Sequence, residues 1–323
     1  MSDCRVLVTG ASGFVGRAVV TALVQQRVPV TAAIRSDATF HDNVRIARVG
    51  SLGGDTDWVA ALKDCRVVVH CAARVHVMHE SAVDPLNAFR VANVDGSMRL
   101  ARQAAVAGVR RMVFVSSIKV MGEETTLGSP FTERDAPAPV GPYGVSKWEA
   151  ERHLNRIAAE CGLELVVIRP PLVYGPGVKA NFLSMTRWIE RGIPLPFGSL
   201  TKNRRTLVAL DNLVDLMLAC TTHPAAAGET FLAGDGDDLS TADLLRRTAA
   251  ALGVRPRLLP VPPELMALAA TIGGRSALWQ RLGGTLQASI AHATRILGWR
   301  PPLTVDEGLR RAVVGLAARR GPR

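Results

Sequence analysis

Five short runs of apolar, largely β-branched residues recur along the first half of the chain: RVLVT (5–9), VPVTAAI (28–34), RVVVHCAA (66–73), RMVFVSS (111–117) and LELVVIRP (163–170). Each is almost continuously hydrophobic, as a strand is when both of its faces are covered, and helical patterns fill the intervals. The succession predicts a parallel sheet with helices on either side, a doubly wound α/β fold. With 323 residues, 48% of them hydrophobic, the chain is long and apolar enough to bury the core such a fold needs.

The first run opens directly into a glycine loop and an amphipathic helix, VLVTGASGFVGRAVVTALV. In that setting Gly10 permits a tight turn, Gly13 lets backbone amides approach a pyrophosphate, and Gly16 lets the helix pack on the strand. The helix N-terminus adds partial positive charge for the anion. A dinucleotide is the expected ligand, in a Rossmann domain over residues 1–172. At the end of the second run, AAIRSD places Arg35 and Ser36 where an acidic residue would bond the adenosine ribose. A guanidinium and a hydroxyl there suit a 2′-phosphate and favour NADPH over NADH, while Asp37 keeps NADH open.

Beyond residue 172 the regularity fades into segments such as RPPLVYGPG, GIPLPFG and LLPVPPELMALAATIGG. A smaller, mixed substrate lobe is expected over 173–323, with RRTLVALDNLVDLMLAC (204–220) read as a strand and helix returning to the main sheet.

The stretch GPYGVSKWEAER holds Tyr143 and Lys147 four residues apart, with Pro142 suited to a first helical position. A free phenol, with a pKa near 10, is a poor proton acceptor at neutral pH. An ammonium about 5 Å away at an effective dielectric of about 20 contributes roughly 3 kcal/mol, or about two pK units, and would bring Tyr143 into the range of a general acid/base. Ser116 and Ser117 end the RMVFVSS run at the carboxyl edge of the sheet, where open α/β sheets bind ligands. A hydroxyl there can bond the substrate oxygen that Tyr143 protonates.

Together these motifs resemble the extended short-chain dehydrogenase/reductases that act on nucleotide sugars. TGASGFVG is similar to their glycine loop, VVVHCAA to their fourth-strand motif, ANVDGSMRL to the central asparagine helix, FVSSIKVMG to the serine strand and YGVSK to the catalytic helix. IRPPLVYGPG and LGWRPPLTVDEGLR extend the likeness toward the C-terminus. The resemblance implies that Gly10, Gly13, Phe14, Val15 and Gly16 hold the cofactor pyrophosphate and that Leu52, Cys71, Ala72, Ala73, Ser116 and Pro170 line the cofactor. It implies that Asn93 bonds near a ribose or holds a water, that Lys147 also grips the nicotinamide ribose, and that Ser117 is the catalytic hydroxyl. Asn181 with Phe182, Arg205 and Arg281 would meet the nucleotide diphosphate, and Arg74 and His76 the sugar. A homodimer through the Asn93 and Tyr143 helices is also implied.

Three departures matter: Ser51 stands where many relatives carry Asp against the adenine, Leu172 where UDP-galactose 4-epimerases have Asn, and Met121 where a Tyr is frequent. Hydride transfer at C4 of a UDP-linked hexose is expected. Arg35 with Ser36 and the absent Asn favour a reductase of a UDP-4-keto-6-deoxy-N-acetylhexosamine. The alternatives are a 4-epimerase that keeps its NAD and a non-catalytic dinucleotide-binding module. A dehydratase is disfavoured, because Ile118 and Lys119 follow Ser117 where an Asp-Glu pair would stand.

Other classes are excluded on composition. The charge of +11 comes from 34 Arg and 5 Lys scattered along the chain without a dense block or interleaved aromatics, which fits attraction of a phosphate-bearing small molecule and not nucleic acid. No stretch has the roughly twenty apolar residues of a membrane span, and the strand at Arg5 leaves no room for a signal peptide, so a soluble cytoplasmic protein is expected. The five cysteines lie far apart and signal neither zinc nor a disulfide framework. RVHVMHES lacks the order of a metal-binding helix, and DGDD (235–238) reads as an acidic turn before a helix capped by Ser240 and Asp243, so no metal is expected.

Overall fold

The computed structural model describes residues 4–75, 84–178, 180–274 and 276–318. Six strands, β1 (Arg5–Thr9), β2 (Val30–Ile34), β3 (Val44–Arg48), β4 (Cys65–His70), β5 (Arg111–Val115) and β6 (Glu164–Arg169), are followed by short strands β7 (Leu172–Tyr174), β8 (Leu207–Ala209) and β9 (Thr230–Leu232). Seven of them form one parallel sheet in the order β3-β2-β1-β4-β5-β6-β9. The doubly wound α/β class expected from the apolar runs is therefore what the chain adopts.

Helices cover both faces. On one, α1 (Phe14–Gln25) packs with a later helix; on the other lie α2 (Val59–Leu62), α3 (Pro85–Arg90), α4 (Gly96–Val106) and α5 (Gly141–Cys161). Alternate residues of β1 feed the two layers: Val6 and Val8 join the core with Val19 and Leu23, and Leu7 joins the opposite core with Leu100 and Leu154. Burial on both sides explains why the strands read as unbroken hydrophobic runs.

The C-terminal part continues through α6 (Ala180–Glu190), α7 (Leu210–Thr222), α8 (Thr241–Ala251), α9 (Pro263–Ile272), α10 (Ser276–Gly283), α11 (Ala291–Leu297) and α12 (Val305–Ala318). The 204–220 segment behaves differently from expectation in one respect. Its strand β8 pairs with β7 in a separate two-stranded sheet, while α7 packs its Leu213, Leu216 and Met217 into the core beside α1. The strand that rejoins the main sheet is β9, against β6. Ser240 caps α8 by accepting from the Asp243 amide at 3.0 Å, as the sequence suggests.

Two local features aim functional groups. Between α3 and α4 the helix widens to a π-turn over Val91–Asp95, which turns Asn93 inward. α5 starts with a proline in its first turn and stops at Gly162, whose left-handed φ of 69° suits glycine. Its buried face carries Ser146, Lys147, Ala150, Glu151, Leu154 and Ile157, two of them charged.

Candidate active site

The glycine loop forms a cradle that larger residues would fill. Gly10 has φ +61°, and a Cβ there would lie 2.8 Å from Ala72 N; one on Gly16 would lie 2.2 Å from Gly10 O. The Gly13 amide donates to that same oxygen at 2.8 Å, locking the turn that brings the N-terminus of α1 to the sheet edge. Unpaired amides at such an end favour an anion.

A cavity of about 630 Å³ opens over this loop, within the range of small-molecule sites. Gly10, Gly13, Phe14, Val15 and Gly16 line it from below, Arg35, Ser36 and Leu52 at one end, and Cys71, Ala72, Ala73 and Arg74 from the end of β4. Arg74, expected at the sugar, thus stands on the wall of the cofactor cleft. Arg35 and Ser36 are exposed, and no described residue bonds the Arg35 guanidinium; Asp37 is instead engaged by Arg48. Trp58, which sequence patterning does not single out, also lines the cavity, and its buried indole N–H has no partner among the described residues. Buried donors of that kind are rare. The glycine cradle, the elongated cleft and this orphan donor fit a dinucleotide.

The proton-handling residues lie beyond the Cys71 end. Ser117 follows β5 with an extended backbone and starts the short turn Ile118–Val120 by accepting from the Lys119 amide at 3.2 Å. Tyr143 is half-buried, and lost hydration at its hydroxyl pushes its pKa up to about 12, with the hydrogen bond to Ser117 pulling the other way. This corrects the expectation that Lys147 makes the phenol acidic: the ammonium is not among the groups that lower Tyr143. Lys147 is fully buried and turns to the sheet, donating to Val115 O at 2.8 Å with its Nζ 4.5 Å from the centre of the Phe114 ring. A buried ammonium takes the nearest acceptor, which here is a strand-end carbonyl. Desolvation pushes its own pKa down to about 8, with the Glu151 charge offsetting part of the fall.

Asn93 is held in a structural network, and Ser116 stands away from the cofactor lining that the resemblance implies for it. The Asn93 carboxamide accepts from Arg74 N at 2.8 Å and donates to Arg74 O and to Ser146 Oγ, both at 3.0 Å. Ser146 in turn donates to Tyr143 O at 2.9 Å. Asn93 is a strut between the cavity wall and α5, with both amide hydrogens spent and one acceptor site left on its carbonyl oxygen. The Ser116 hydroxyl donates to Glu151 inside the core and does not line the cavity. Pro170 ties down the serine strand, its carbonyl accepting from the Ile118 amide at 2.9 Å. On the far side His70 is buried between Thr9 Oγ1 at 2.6 Å and Ser97 Oγ at 2.8 Å, and burial pushes its pKa down to about 3. Thr9 Oγ1 also accepts from Ala72 N at 3.1 Å, so this network joins the ends of β1 and β4 under the cavity.

The expected substrate residues are dispersed. His76 lies outside the described residues, as does the side chain of Asn181 in α6. Phe182 is buried and stacks on Tyr174 with ring centres 5.8 Å apart, in the core of the lobe. The Arg205 guanidinium donates to Gly284 O at 3.1 Å and feels Glu123 and Glu124, while burial lowers its pKa. Arg281 is exposed in the last turn of α10. The carboxylates of the DGDD turn are committed elsewhere: Asp235 to Tyr174 and Asn212, Asp237 to Arg247 and Asp238 to Thr206. No metal-holding cluster occurs among the described residues, and no described helix is long and apolar enough to cross a membrane.

Comparison with known proteins agrees with this geometry. Residues 6–234 match the NAD dependent epimerase/dehydratase family. A UDP-glucose 4-epimerase of Vibrio cholerae is 46% identical over 305 residues, 94% of this chain and 93% of that one. Among solved structures, a short-chain dehydrogenase/reductase superfamily protein from Agrobacterium tumefaciens with bound NAD superposes with a TM-score of 0.76 at 25% identity, covering 98% of each chain. MoeE5 in complex with UDP-glucose and NAD gives 0.75 at 26% identity over 98% of this chain and 100% of that one. On its sequence motifs, its seven-stranded sheet and these matches, the chain belongs to the NAD dependent epimerase/dehydratase family of extended short-chain dehydrogenase/reductases.

Proposed function

We propose that the protein is a UDP-hexose 4-epimerase that works with bound NAD. What supports the reading is that Tyr143, in the first turn of α5, stands close enough to Ser117, at the end of β5, for the serine hydroxyl to pull its pKa down against burial. The 46% identity to a UDP-glucose 4-epimerase along 94% of the chain supports the same chemistry over the reductase expected from Arg35, Ser36 and Leu172. Relatives bind NAD, so NAD replaces the expected NADPH as the assigned cofactor.

The glycine cradle, Arg35, Leu52 and the Cys71–Ala73 wall would hold the dinucleotide, which supplies a hydride acceptor at C4 and the same hydride for return. Oxidation at C4 releases one proton from the 4-hydroxyl, and reduction of the 4-keto sugar takes one up. Tyr143 holds that proton between the two half-reactions, and Ser117 orients the sugar oxygen by a hydrogen bond. With its pKa pushed up to about 12, the phenol is set as a proton donor; its turn as acceptor depends on positive charge close to the hydroxyl. Lys147, one turn along α5, does not lower the phenol in the resting site, and in this reading it supplies such charge only once substrate and cofactor fill the cleft. Arg205 and the N-terminus of α6 would engage the diphosphate, and the remote nucleotide would fix the sugar against the cofactor.

The 4-ketoreductase is the second reading, favoured by the unpaired Arg35 guanidinium at the adenosine end and by a phenol resting in its acid form. The two separate on stoichiometry. Released cofactor is identified from the purified protein, which is then given UDP-glucose, and separately NADPH with a UDP-4-keto-hexose. The proposal expects NAD in the protein and interconversion of UDP-glucose and UDP-galactose with no net redox change. Consumption of one NADPH per keto sugar without epimerisation would replace it with the reductase. Tyr143→Phe should abolish turnover while cofactor stays bound; full activity in that variant would remove Tyr143 from the chemistry. We also propose that two copies associate through α4 and α5, which size measurement in solution tests.

A further inference from the structure

Beneath Tyr143 and Lys147, α5 buries a second charge. Glu151 stands one turn beyond Lys147 on the same face, and the two residues are 1% and 2% exposed. Arg169 of β6 grips its carboxylate as a fork, Nε to Oε1 at 3.0 Å and Nη2 to Oε2 at 2.6 Å, and the Ser116 hydroxyl donates to Oε1. An ion pair buried this deeply is weak support for stability, because desolvation of both charges offsets their attraction. Its position one turn beyond the buried Lys147 ammonium points to another use.

We propose that Glu151 is a positioning residue whose fixed negative charge keeps the buried Lys147 ammonium protonated, while Arg169 and Ser116 hold the carboxylate back so that it does not consume the ammonium's hydrogen bonds. Lys147 donates to Val115 O and makes no ion pair with Glu151 within contact distance, so the carboxylate acts on it through space and does not take up its hydrogen bonds. The other groups facing it supply no negative charge at neutral pH. His70, at the end of β4, is neutral with its pKa pushed down to about 3; the Cys71 thiol and the Tyr143 phenol are neutral with theirs pushed up to about 12. The Arg169 cation is matched by Glu151 itself. Burial already draws Lys147 down to about 8, and Glu151 is the first of the charges opposing that fall. Without it the resting amine would lose its proton near neutral pH, and with it the positive charge that Tyr143 requires as a proton acceptor.

The role rests on the proposed use of Lys147, but the charge state does not, so it is read on the protein without substrate. The chain has five lysines, and ε-¹³C-lysine labelling gives five resonances to follow with pH. Lys147, assigned by its loss in Lys147→Met, should titrate near 8 in the wild type. In Glu151→Gln its midpoint should fall by about one pH unit or more. In Arg169→Met, which frees the carboxylate, it should rise, and Glu151→Asp should restore it toward the wild-type value. The alkaline limb of the turnover profile should follow in the same directions. A folded Glu151→Gln whose Lys147 midpoint stays within about 0.3 unit of wild type overturns the proposal, since removing a buried charge one helical turn away must then have had no effect on the ammonium. Should Glu151→Gln not fold, an Arg169→Met midpoint that is unchanged or lowered does the same. Failure of the epimerase reading shows instead as absent turnover in the wild type, whatever the lysine titration gives.

Discussion

Gly16→Ala sets two opposing effects against each other, and the distances decide between them. Gly16 lies in the first turn of α1, where alanine would ordinarily gain up to about 1 kcal/mol in helix propensity. Here the new methyl would meet Gly10 O at 2.2 Å, Gly10 C at 2.8 Å and Ala11 Cα at 3.1 Å. All three are backbone atoms, and the oxygen is already held by the Gly13 amide, so no side-chain rotation relieves the contact. Overpacking of this kind costs about 1–3 kcal/mol even where neighbours can adjust, so the clash wins and the variant should be destabilised by about 2 kcal/mol. In a chain of this size that corresponds to roughly 3 °C in Tm. Relief must come from a shift of α1 away from β1, which carries the amides at the helix N-terminus off the pyrophosphate. Two readings check it together: the melting temperature, and the amount of NAD released from the purified protein by denaturation. A Gly16→Ala protein that melts at or above the wild-type temperature with its full cofactor content would refute the tight helix-on-strand contact and the cradle built on it.

Lys147→Met tests the cost of the buried ammonium. The folded pKa is about 8 against an ordinary 10.5, so between these values the unfolded chain keeps a proton that the folded protein releases, and this group's contribution to stability rises with pH across that window by about 3 kcal/mol in all. Urea unfolding at pH 7 and at pH 9.5 should show wild type gaining on Lys147→Met by about 2 kcal/mol; an unchanged difference counts against the burial. His70→Gln, which keeps two polar groups without titrating, probes the other side of neutrality. With its pKa pushed down to about 3, His70 costs nothing above pH 6.5 and destabilises progressively below it, so at pH 5 the variant should be favoured by about 2 kcal/mol relative to the comparison at pH 7. Parallel acid melting curves for the two proteins would contradict that. Asn93→Ala strands buried partners on Arg74 and Ser146 and should cost about 2–3 kcal/mol, with faster NAD release; unchanged melting and release would deny it the strut role.

How far the fold was legible follows from burial. The runs at 5–9, 28–34, 66–73, 111–117 and 163–170 lie between two helical layers and have no polar face, so hydrophobicity alone marks them. β3 escapes because it is an edge strand, VRIAR, that carries two arginines and buries only Val44, and β9 because three residues give no period to detect. The destination of β8 was misread for a related reason: a three-residue apolar strand says nothing about its partner. That partner, β7, is set by a turn beyond Pro170 and Pro171 that leaves the main sheet.

The candidate site divides along a different line. Glycine positions, the serine strand and the Y-x-x-x-K spacing are local features: the glycines line the cavity, Ser117 ends β5, and Tyr143 and Lys147 lie one turn apart on α5. What spacing cannot supply is the acceptor a buried group selects across the fold: Lys147 reaches the Val115 carbonyl, Ser116 reaches Glu151, and Asn93 reaches Arg74 and Ser146. Yet Glu151 did leave a trace in the sequence. Positions 146, 147, 150, 151, 154 and 157 trace one face of α5, and on it Ala150, Leu154 and Ile157 are apolar. Charged residues at 147 and 151 interrupt a face that is otherwise fit for a core, and a buried charge needs an opposite charge to hold it. Lys147 and Glu151 share that face one turn apart and carry opposite charges that could neutralise each other, so spacing alone does not reveal that Arg169, at the end of β6, is the cation that takes the carboxylate.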